Sequence, residues 1–201
     1  LSPAQLTGLS ATQVTALSPA QVGALGTDVS ALPTTALSAL SAQQVDGLSA
    51  AQVTAMGAKL GALAPAALAS LDATQFTAVT TAALAAMNDA QFSALVGTGN
   101  ERVTALTAVQ VDGLTASQVT ALGTRISALG ASALASLDAV QLSGATLNAL
   151  NATQLGALTP AQLSGVTAAQ AATLSAEQVQ ALGTDVSGLP PAAVGVMNLS
   201  Q

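Results

Sequence analysis

The feature that most constrains this chain is an eight-residue unit that recurs over nearly all of its 201 residues. The unit reads Leu, Ser or Thr, two variable residues, Gln, Val or Leu, one variable residue, and Ala or Gly. Clear copies are LSPAQLTG at 1–8, LSATQVTA at 9–16, LSAAQVTA at 48–55 and LSAEQVQA at 174–181. Because the copies are so similar, each should form the same small element, and the elements should pack on one another.

A short polar side chain stands three residues before Gln in fourteen of these units, and it is always Ser, Thr, Asp or Asn. These four types share the ability to accept a hydrogen bond from a backbone amide at a helix N-terminus. With Gln three residues later, the spacing is that of a capping box. We predict capping pairs at Ser2–Gln5, Ser10–Gln13, Ser18–Gln21, Ser49–Gln52, Thr115–Gln118 and Ser175–Gln178.

Proline placement favours the same short helix. Five prolines directly follow the cap position, where a helix does not need the missing N–H: Pro3, Pro19, Pro65, Pro160 and Pro191. Each unit therefore predicts a helix of about six residues, which the next cap ends. Helices this short are marginal alone, so Leu at position one and Val or Leu at position six must be buried.

A second, seven-residue unit with Gly at its second position marks a longer period. It occurs as LGTDVSA at 25–31, MGAKLGA at 56–62, LGTRISA at 122–128 and LGTDVSG at 182–188. Grouping by it gives blocks of four units that begin near residues 9, 40, 71, 106, 137 and 166, and most of these blocks span 31 residues. We predict an all-α solenoid with about four very short capped helices in each 31-residue coil.

The organisation expected from these blocks is a single repeat array over residues 1–201, with one irregular loop at 95–105, where the sequence reads LVGTGNERVTA. The chain begins and ends within the pattern and carries no polar capping repeat. Solenoids normally need such caps. We therefore expect a fragment of a longer array, in which head-to-tail stacking of coils would allow self-association.

Two alternative folds stay open. A β-solenoid with eight-residue sides is favoured locally by Val-Thr pairs such as Val14-Thr15 and Val53-Thr54. The alanine content, the capping pattern and the proline placement favour the helix instead. A disordered low-complexity chain is disfavoured, because disorder goes with low hydrophobicity and 51% of these residues are hydrophobic.

The composition leaves little material for catalysis. The chain has no His and no Cys, so its many Ser and Thr hydroxyls lack a base that would make them nucleophiles. None of its nine carboxylates lies within seven residues of another, whereas an acid/base pair or a calcium loop needs several oxygens together. We expect no enzymatic activity, no cofactor and no metal site.

Three cations against nine acidic residues give a net charge of −6, which excludes a protein that binds nucleic-acid phosphates. No uninterrupted apolar run reaches the length of about 18 residues that a membrane span requires. One arrangement of charges stands out: Asp28 and Lys59 occupy the fourth position of successive seven-residue units. Since they are 31 residues apart, we predict a weak ion pair between adjacent coils, worth at most about 1 kcal/mol.

Two resemblances bear on function. The stretches LSPAQV at 17–22 and LTPAQL at 158–163 resemble the opening helix of the DNA-binding repeats of transcription activator-like effectors. The second helix, the base-reading loop and the basic charge of those repeats are missing, so DNA binding is not carried over. The whole Ala/Ser/Thr/Leu/Gln-rich pattern resembles segments of very large secreted bacterial surface proteins, including adhesins. This resemblance implies an extracellular or cell-surface location.

Three functions are compatible with such an array. The first is a spacer or stalk segment in a secreted or surface-anchored bacterial protein, and the second is a subunit of a self-assembling extracellular filament. The third is a binding module that uses one polar face, for instance against ice or polysaccharide. Position seven varies among Thr, Gly, Asp, Ser and Gln, which disfavours a regular binding array, and the sequence names no surface ligand.

Overall fold

A computed structural model describes residues 2–197, and within that range the chain consists of short helices with no strand. The chain divides into two compact halves, Leu1–Arg102 and Val103–Gln201. The N-terminal half contains α1 (Pro3–Leu6), α2 (Ala11–Thr15), α3 (Pro19–Gly23), η1 (Gly26–Ala31), α4 (Thr34–Leu37), α5 (Ala42–Asp46), α6 (Ala50–Met56), η2 (Gly57–Ala62), α7 (Pro65–Ala69), α8 (Ala73–Thr77), α9 (Thr81–Ala85) and α10 (Asp89–Val96), where η denotes a 3-10 helix.

Helix α11 (Glu101–Ala105) spans the boundary between the halves. The C-terminal half continues with α12 (Ala108–Asp112), α13 (Ala116–Leu122), η3 (Gly123–Ala128), α14 (Ala131–Ala135), α15 (Ala139–Ser143), η4 (Leu147–Ala149), α16 (Ala152–Leu155), α17 (Pro160–Leu163), α18 (Ala168–Ala171), α19 (Ala176–Leu182), η5 (Gly183–Gly188) and α20 (Pro191–Val194). The predicted class, an all-α array of short helices, is confirmed, and the β-solenoid alternative finds no support in residues 2–197.

The coil contains three helices, not the four that the 31-residue period predicted. In the N-terminal half, α3 packs on α5, α5 on α7, and α6 on both η1 and α8; the partners are three elements apart in each case. The same spacing relates α13 to α15 and α16 to α19 in the C-terminal half. Four short helices would surround a central space that Ala, Val and Leu side chains are too small to fill, whereas three close on a narrow core.

The seven-residue units form the 3-10 helices. In four of them the glycine at the second position has a positive φ: 56° at Gly26, 48° at Gly57, 56° at Gly123 and 52° at Gly183. Side chains disfavour this backbone conformation, so glycine lets the chain turn sharply from one helix into the next. In the remaining short unit, η4 has only three residues, which matches the shortened sequence at 145–149.

The segment predicted as an irregular loop at 95–105 is helical at both ends. Helix α10 runs on to Val96 and ends at Gly97, whose φ is 67°, and α11 begins at Glu101. The non-helical part is therefore limited to residues 97–100. Across residues 2–197, no helix is both long and apolar enough to span a membrane.

Candidate functional site: the boundary between coils

Each predicted capping pair is in hydrogen-bonding contact. In all six pairs, the Gln side-chain Oε1 accepts from the backbone N–H of the cap residue at 2.8–3.0 Å. The cap hydroxyl accepts in turn from the Gln backbone N–H at 3.1–3.4 Å. The structure thus brings together Ser2–Gln5, Ser10–Gln13, Ser18–Gln21, Ser49–Gln52, Thr115–Gln118 and Ser175–Gln178. These bonds satisfy amides that a helix N-terminus leaves without partners.

The same glutamines have a second role that the sequence did not reveal. In Gln75, the amide Nε2 donates to the carbonyl oxygens of Val45 at 3.0 Å, Asp46 at 3.0 Å and Leu48 at 2.6 Å. These carbonyls lie at the end of α5, 27–30 residues earlier. One side chain therefore begins its own helix with Oε1 and joins it to the preceding coil with Nε2.

This amide contact recurs in both halves. Gln44 donates to Val14 and Leu17 at 2.8 and 2.7 Å, and Gln141 donates to three carbonyls of residues 111–114 at 2.7–3.0 Å. Other glutamines that donate to a carbonyl of an earlier helix are Gln52, Gln91, Gln154, Gln162, Gln170 and Gln178. The acceptors that recur are the backbone carbonyls of positions six and seven of one unit and of position one of the next.

Burial makes these contacts important. The exposed fraction is only 2–4% for four of these side chains: Gln44, Gln52, Gln75 and Gln141. The last carbonyls of a helix have no partner within that helix, and a buried polar group without a hydrogen bond is costly. Among the described residues, every buried side-chain nitrogen and oxygen has a partner. The amide contacts thus satisfy both the glutamine and the helix end beneath it.

Cations take the place of glutamine in the irregular units. Lys59 directly precedes the buried Leu60, as Gln52 precedes Val53. Its ammonium Nζ donates to the carbonyls of Ser30 at 2.7 Å and Leu32 at 3.1 Å, which are the acceptor positions of the amide contact. The structure does not bring Lys59 together with Asp28 in an ion pair, so that predicted pair is corrected. A separation of 31 residues corresponds to four units, one more than a coil.

Arg102 plays the same part beside residues 97–100. Its guanidinium donates to the carbonyls of Ala69, at 3.0 Å, Leu71 and Leu95, and its Cζ lies 5.8 Å from the ring centroid of Phe76. Burial lowers the pKa of Arg102 from its ordinary value, and the nearby Asp72 carboxylate acts in the opposite direction. In the C-terminal half, Arg125 donates to the carbonyls of residues 121 and 122 at 3.2 and 3.3 Å.

The exposure of the apolar side chains in the first and last coils shows which neighbouring coil each of them faces. Leucines at position one are buried in interior coils, as are Leu40 and Leu48, but Leu9, Leu17 and Leu25 of the first coil are half-buried. Position one therefore faces the preceding coil.

Position six shows the opposite pattern. Valines there are fully buried in interior coils, including Val45 and Val53. Near the end of the described chain, Val179 and the equivalent Val186, at the fifth position of its seven-residue unit, are half-buried. Val194, in the same position of α20, is 47% exposed. Position six therefore faces the following coil, and each boundary joins position-six valines to position-one leucines.

Cavities occur among the described residues of the C-terminal half. An open groove of about 430 Å³ runs beside the shortened η4 and is lined by Asn148, Asn151, Thr173, Ser175, Glu177 and Gln178, among others. An apolar pit of about 100 Å³ lies between α14 and α16. Within residues 2–197, no three of the Asp and Glu side chains come close enough together to hold a metal ion.

Comparison with known proteins identifies a repeat. The profile of one family, described as the ALTTAQ repeat, matches residues 1–27, which contain α1, α2 and α3. The letters of that description place Thr three residues before Gln, as in the capping box. The comparison with curated proteins gave no match. The findings therefore support a tandem-repeat protein.

Proposed function

We propose that this chain is a non-catalytic structural scaffold, a spacer or stalk segment of a secreted or cell-surface bacterial protein of the kind that includes adhesins. The observation that carries the proposal is the amide contact between coils. The Lys and Arg side chains and the glutamines of the interior coils, which could otherwise recognise a ligand, are engaged with backbone carbonyls, and the Ser and Thr at cap positions hold helix ends. The polar chemistry of the repeat serves its own stacking.

A scaffold of this kind should tolerate changes in the number of coils. Its stability is close to a sum of repeat and neighbour terms, so adding a coil adds one more boundary of the same type. A catalytic or ligand-binding protein depends instead on particular residues at fixed distances, and a change in coil number would disturb them.

The test is duplication of residues 40–62, which span three units and therefore one coil. We expect the longer chain to keep its helical circular dichroism and to unfold at an equal or higher temperature. The matched control duplicates residues 40–58, which stops inside a unit and breaks the order of caps and glutamines. Unfolding of the whole-coil variant, or equal tolerance of both insertions, would contradict the scaffold.

The location is tested separately. The resemblance to secreted bacterial surface proteins and the absence of thiols fit an extracellular role. Protease treatment of intact producing cells should remove the chain while a cytoplasmic marker survives. Protection of the chain until the cells are lysed would rule out a surface location and leave the scaffold role to the insertion experiment.

A further inference from the structure

The polar groove beside η4 lies where the sequence departs from its own repeat. We propose that this groove binds a neutral oligosaccharide, whose hydroxyl groups are recognised by Asn148, Asn151, Thr173, Ser175 and Glu177. These residues belong to two successive coils of the C-terminal half. The binding site goes beyond the scaffold role. It also lies outside the duplicated residues 40–62, so either proposal can fail without the other.

The first wall of the groove carries an amide where regular seven-residue units have a serine or a glycine. The residues at the sixth position of those units are Ser30, Gly61, Ser127 and Ser187. Each of the three serines donates its hydroxyl proton to the carbonyl three residues earlier, at 2.9–3.0 Å. Asn148 takes this position in the shortened unit, and its exposed side chain forms no hydrogen bond with any described residue. The Asn148 amide is thus free to bind a ligand.

The helix that follows the shortened unit also begins differently. After each regular seven-residue unit, the residue at the helix cap provides no side-chain hydrogen bond: it is Pro33, Ala64, Gly130 or Pro190. Helix α16 is capped instead by Asn151, whose Oδ1 accepts from the backbone N–H of Gln154 at 2.9 Å. The Nδ2 protons of Asn151 are not used in this cap. The groove therefore has a second free amide donor.

The opposite wall departs from the repeat as well. Among the fourteen units with Gln at position five, Thr173 is the only residue at position eight that is neither Ala nor Gly, and Glu177 is the only charged residue at position four. The Glu177 carboxylate is exposed and forms no ion pair within the described chain. Thr173 Oγ1 donates to the Gln170 carbonyl at 2.8 Å and keeps its lone pairs. Four departures from the repeat therefore line one cavity, although the regular coils stack without them.

The chemistry of these groups selects the class of ligand. The free donors are the amides of Asn148 and Asn151 and the hydroxyl of Ser175, and the free acceptors are Asn148 Oδ1 and the Glu177 carboxylate. A sugar hydroxyl both donates and accepts, so neighbouring hydroxyls of one ring match such a mixed set. No Lys or Arg lines the groove, and Glu177 would repel an anion, which disfavours phosphates and acidic sugars.

A peptide ligand is disfavoured by the same surroundings. Extended peptides add to the edge of a sheet and helical peptides need an apolar groove, whereas residues 2–197 contain no strand and Leu150 in this groove is only 1% exposed. The volume of about 430 Å³ is within the range of ligand pockets. Since no aromatic ring lines the groove for a sugar to stack on, binding should be weak and should depend on the hydrogen bonds.

Two-dimensional NMR of the isotope-labelled chain can detect weak binding and locate it. The neutral probes are cellotetraose, maltotetraose, mannotetraose and chitotetraose, with tetragalacturonate as the acidic comparison and tetraglycine as the peptide comparison. We expect saturable shifts of the side-chain amide signals of Asn148 and Asn151 with at least one neutral probe. Tetragalacturonate should bind about tenfold more weakly or not at all.

Three outcomes of this titration would overturn the proposal. One is the absence of saturable shifts with every neutral probe, and another is a set of shifts that lies outside the groove. The third is tighter binding of tetraglycine or tetragalacturonate, which would assign the groove to a peptide or to an acidic sugar.

Variants that restore the ordinary repeat separate binding from stability. Asn148→Ser introduces the residue of the regular units, and Asn151→Ser keeps a capping hydroxyl at the start of α16. The double variant should keep its melting temperature but bind the neutral probe about tenfold more weakly, because two amide donors are lost. Asn88→Ser is the matched control, since Asn88 caps α10 in the same way outside the groove. It should bind like the unaltered chain.

Folding of each variant is checked by circular dichroism. If the double variant fails to fold, Glu177→Ala replaces it, because alanine stands at position four in regular units such as that of Ala51. Glu177→Ala should also weaken binding of the neutral probe. Undiminished binding by the folded groove variants, or an equal loss with Asn88→Ser, would show that the sugar binds elsewhere and would overturn the proposal.

Discussion

Gln13 in the first coil and Gln75 in an interior coil are the same residue in the same helix position. Both hold the cap N–H with Oε1, at 2.8 and 2.7 Å, and both belong to complete capping boxes. Gln75 also donates to three carbonyls of the coil before it and is 2% exposed, whereas Gln13 is exposed. The two atoms of one side-chain amide therefore have separate roles: Oε1 begins a helix and Nε2 joins it to the preceding coil.

The largest effect is expected from Gln75→Glu, compared with Gln13→Glu. A carboxylate at position 75 would be buried against three carbonyl oxygens, and an unpaired buried charge costs about 3–5 kcal/mol. At position 13 the carboxylate keeps the capping box and meets water, so the free energy of unfolding should change by about 0.5 kcal/mol or less. Urea unfolding followed by circular dichroism measures both.

The effect of Gln75→Glu should depend on pH. Burial raises the pKa of the new carboxyl above its usual value of about 4.3, and the protonated form can donate to a carbonyl. The folded state then binds the proton more tightly than the unfolded state, so the lost stability should return as pH falls through the raised pKa. Equal losses of stability for Gln13→Glu and Gln75→Glu would show that the contact from Gln75 Nε2 does not stabilise the interior coil.

A glycine pair gives the next largest effect. Gly8 and Gly165 share position eight of their units, but a Cβ at Gly165 would overlap the backbone carbonyl of Ala139, whereas at Gly8 its closest neighbour is the Gln5 carbonyl oxygen at 3.6 Å. Gly165→Ala should cost about 2–3 kcal/mol through overpacking. Gly8→Ala should leave stability unchanged or raise it by up to about 1 kcal/mol. Thermal melts of both variants decide whether position eight is crowded only where two coils meet.

Lys59 and Asp28 extend the comparison to charged residues. Lys59→Ala removes a partly buried ammonium that donates to Ser30 and Leu32, and we expect a loss of about 1–2 kcal/mol. Lys59→Gln should recover part of it, since glutamine fills this position in the regular units. Asp28→Ala, the control in the coil before, should be close to neutral. If both alanine variants lose the same free energy of unfolding, an ion pair between Asp28 and Lys59 would be supported instead.

The smallest effect concerns the coupling of those two residues. A double-mutant cycle with Asp28→Ala and Lys59→Ala should give an interaction free energy within about 0.5 kcal/mol of zero, because the structure holds no ion pair between them. A clearly larger coupling, which weakened in high salt, would place the two side chains together in solution.

The helices and their beginnings could be read from the sequence because capping is local. Ser49 and Gln52 are three residues apart, and the amide that Ser49 accepts from belongs to the same turn. The coil could not be read in this way. The contact from Gln75 to Leu48 crosses 27 residues, and nothing in either residue type marks the other as its partner. The 31-residue block gives the period of the sequence, which is four units. It does not give the number of helices per coil, which is three because three short helices can close on a core of small side chains.

The same mismatch explains why the charge pair was misplaced. Asp28 and Lys59 occupy equivalent positions of two seven-residue units. In the structure, however, the Lys59 ammonium donates to the carbonyls of Ser30 and Leu32, which follow Asp28 in the chain. The edges of the first and last coils also gave no sequence signal, since Leu9 and Leu40 are identical residues at position one of closely similar units. Only the neighbours in space distinguish them.

The sequence repeats every four units, whereas one coil contains three helices, so the two periods do not coincide. The units of each block therefore lie on the next side of the coil relative to the equivalent units of the block before. For this reason η1 packs on α6, whereas the equivalent η2 packs on α4 and α9. When such a gene grows by duplicating whole blocks, a new surface residue is copied onto each side in turn instead of into a straight ladder. Growth by whole blocks thus distributes a surface residue acquired in one unit of a block over all three sides of the coil.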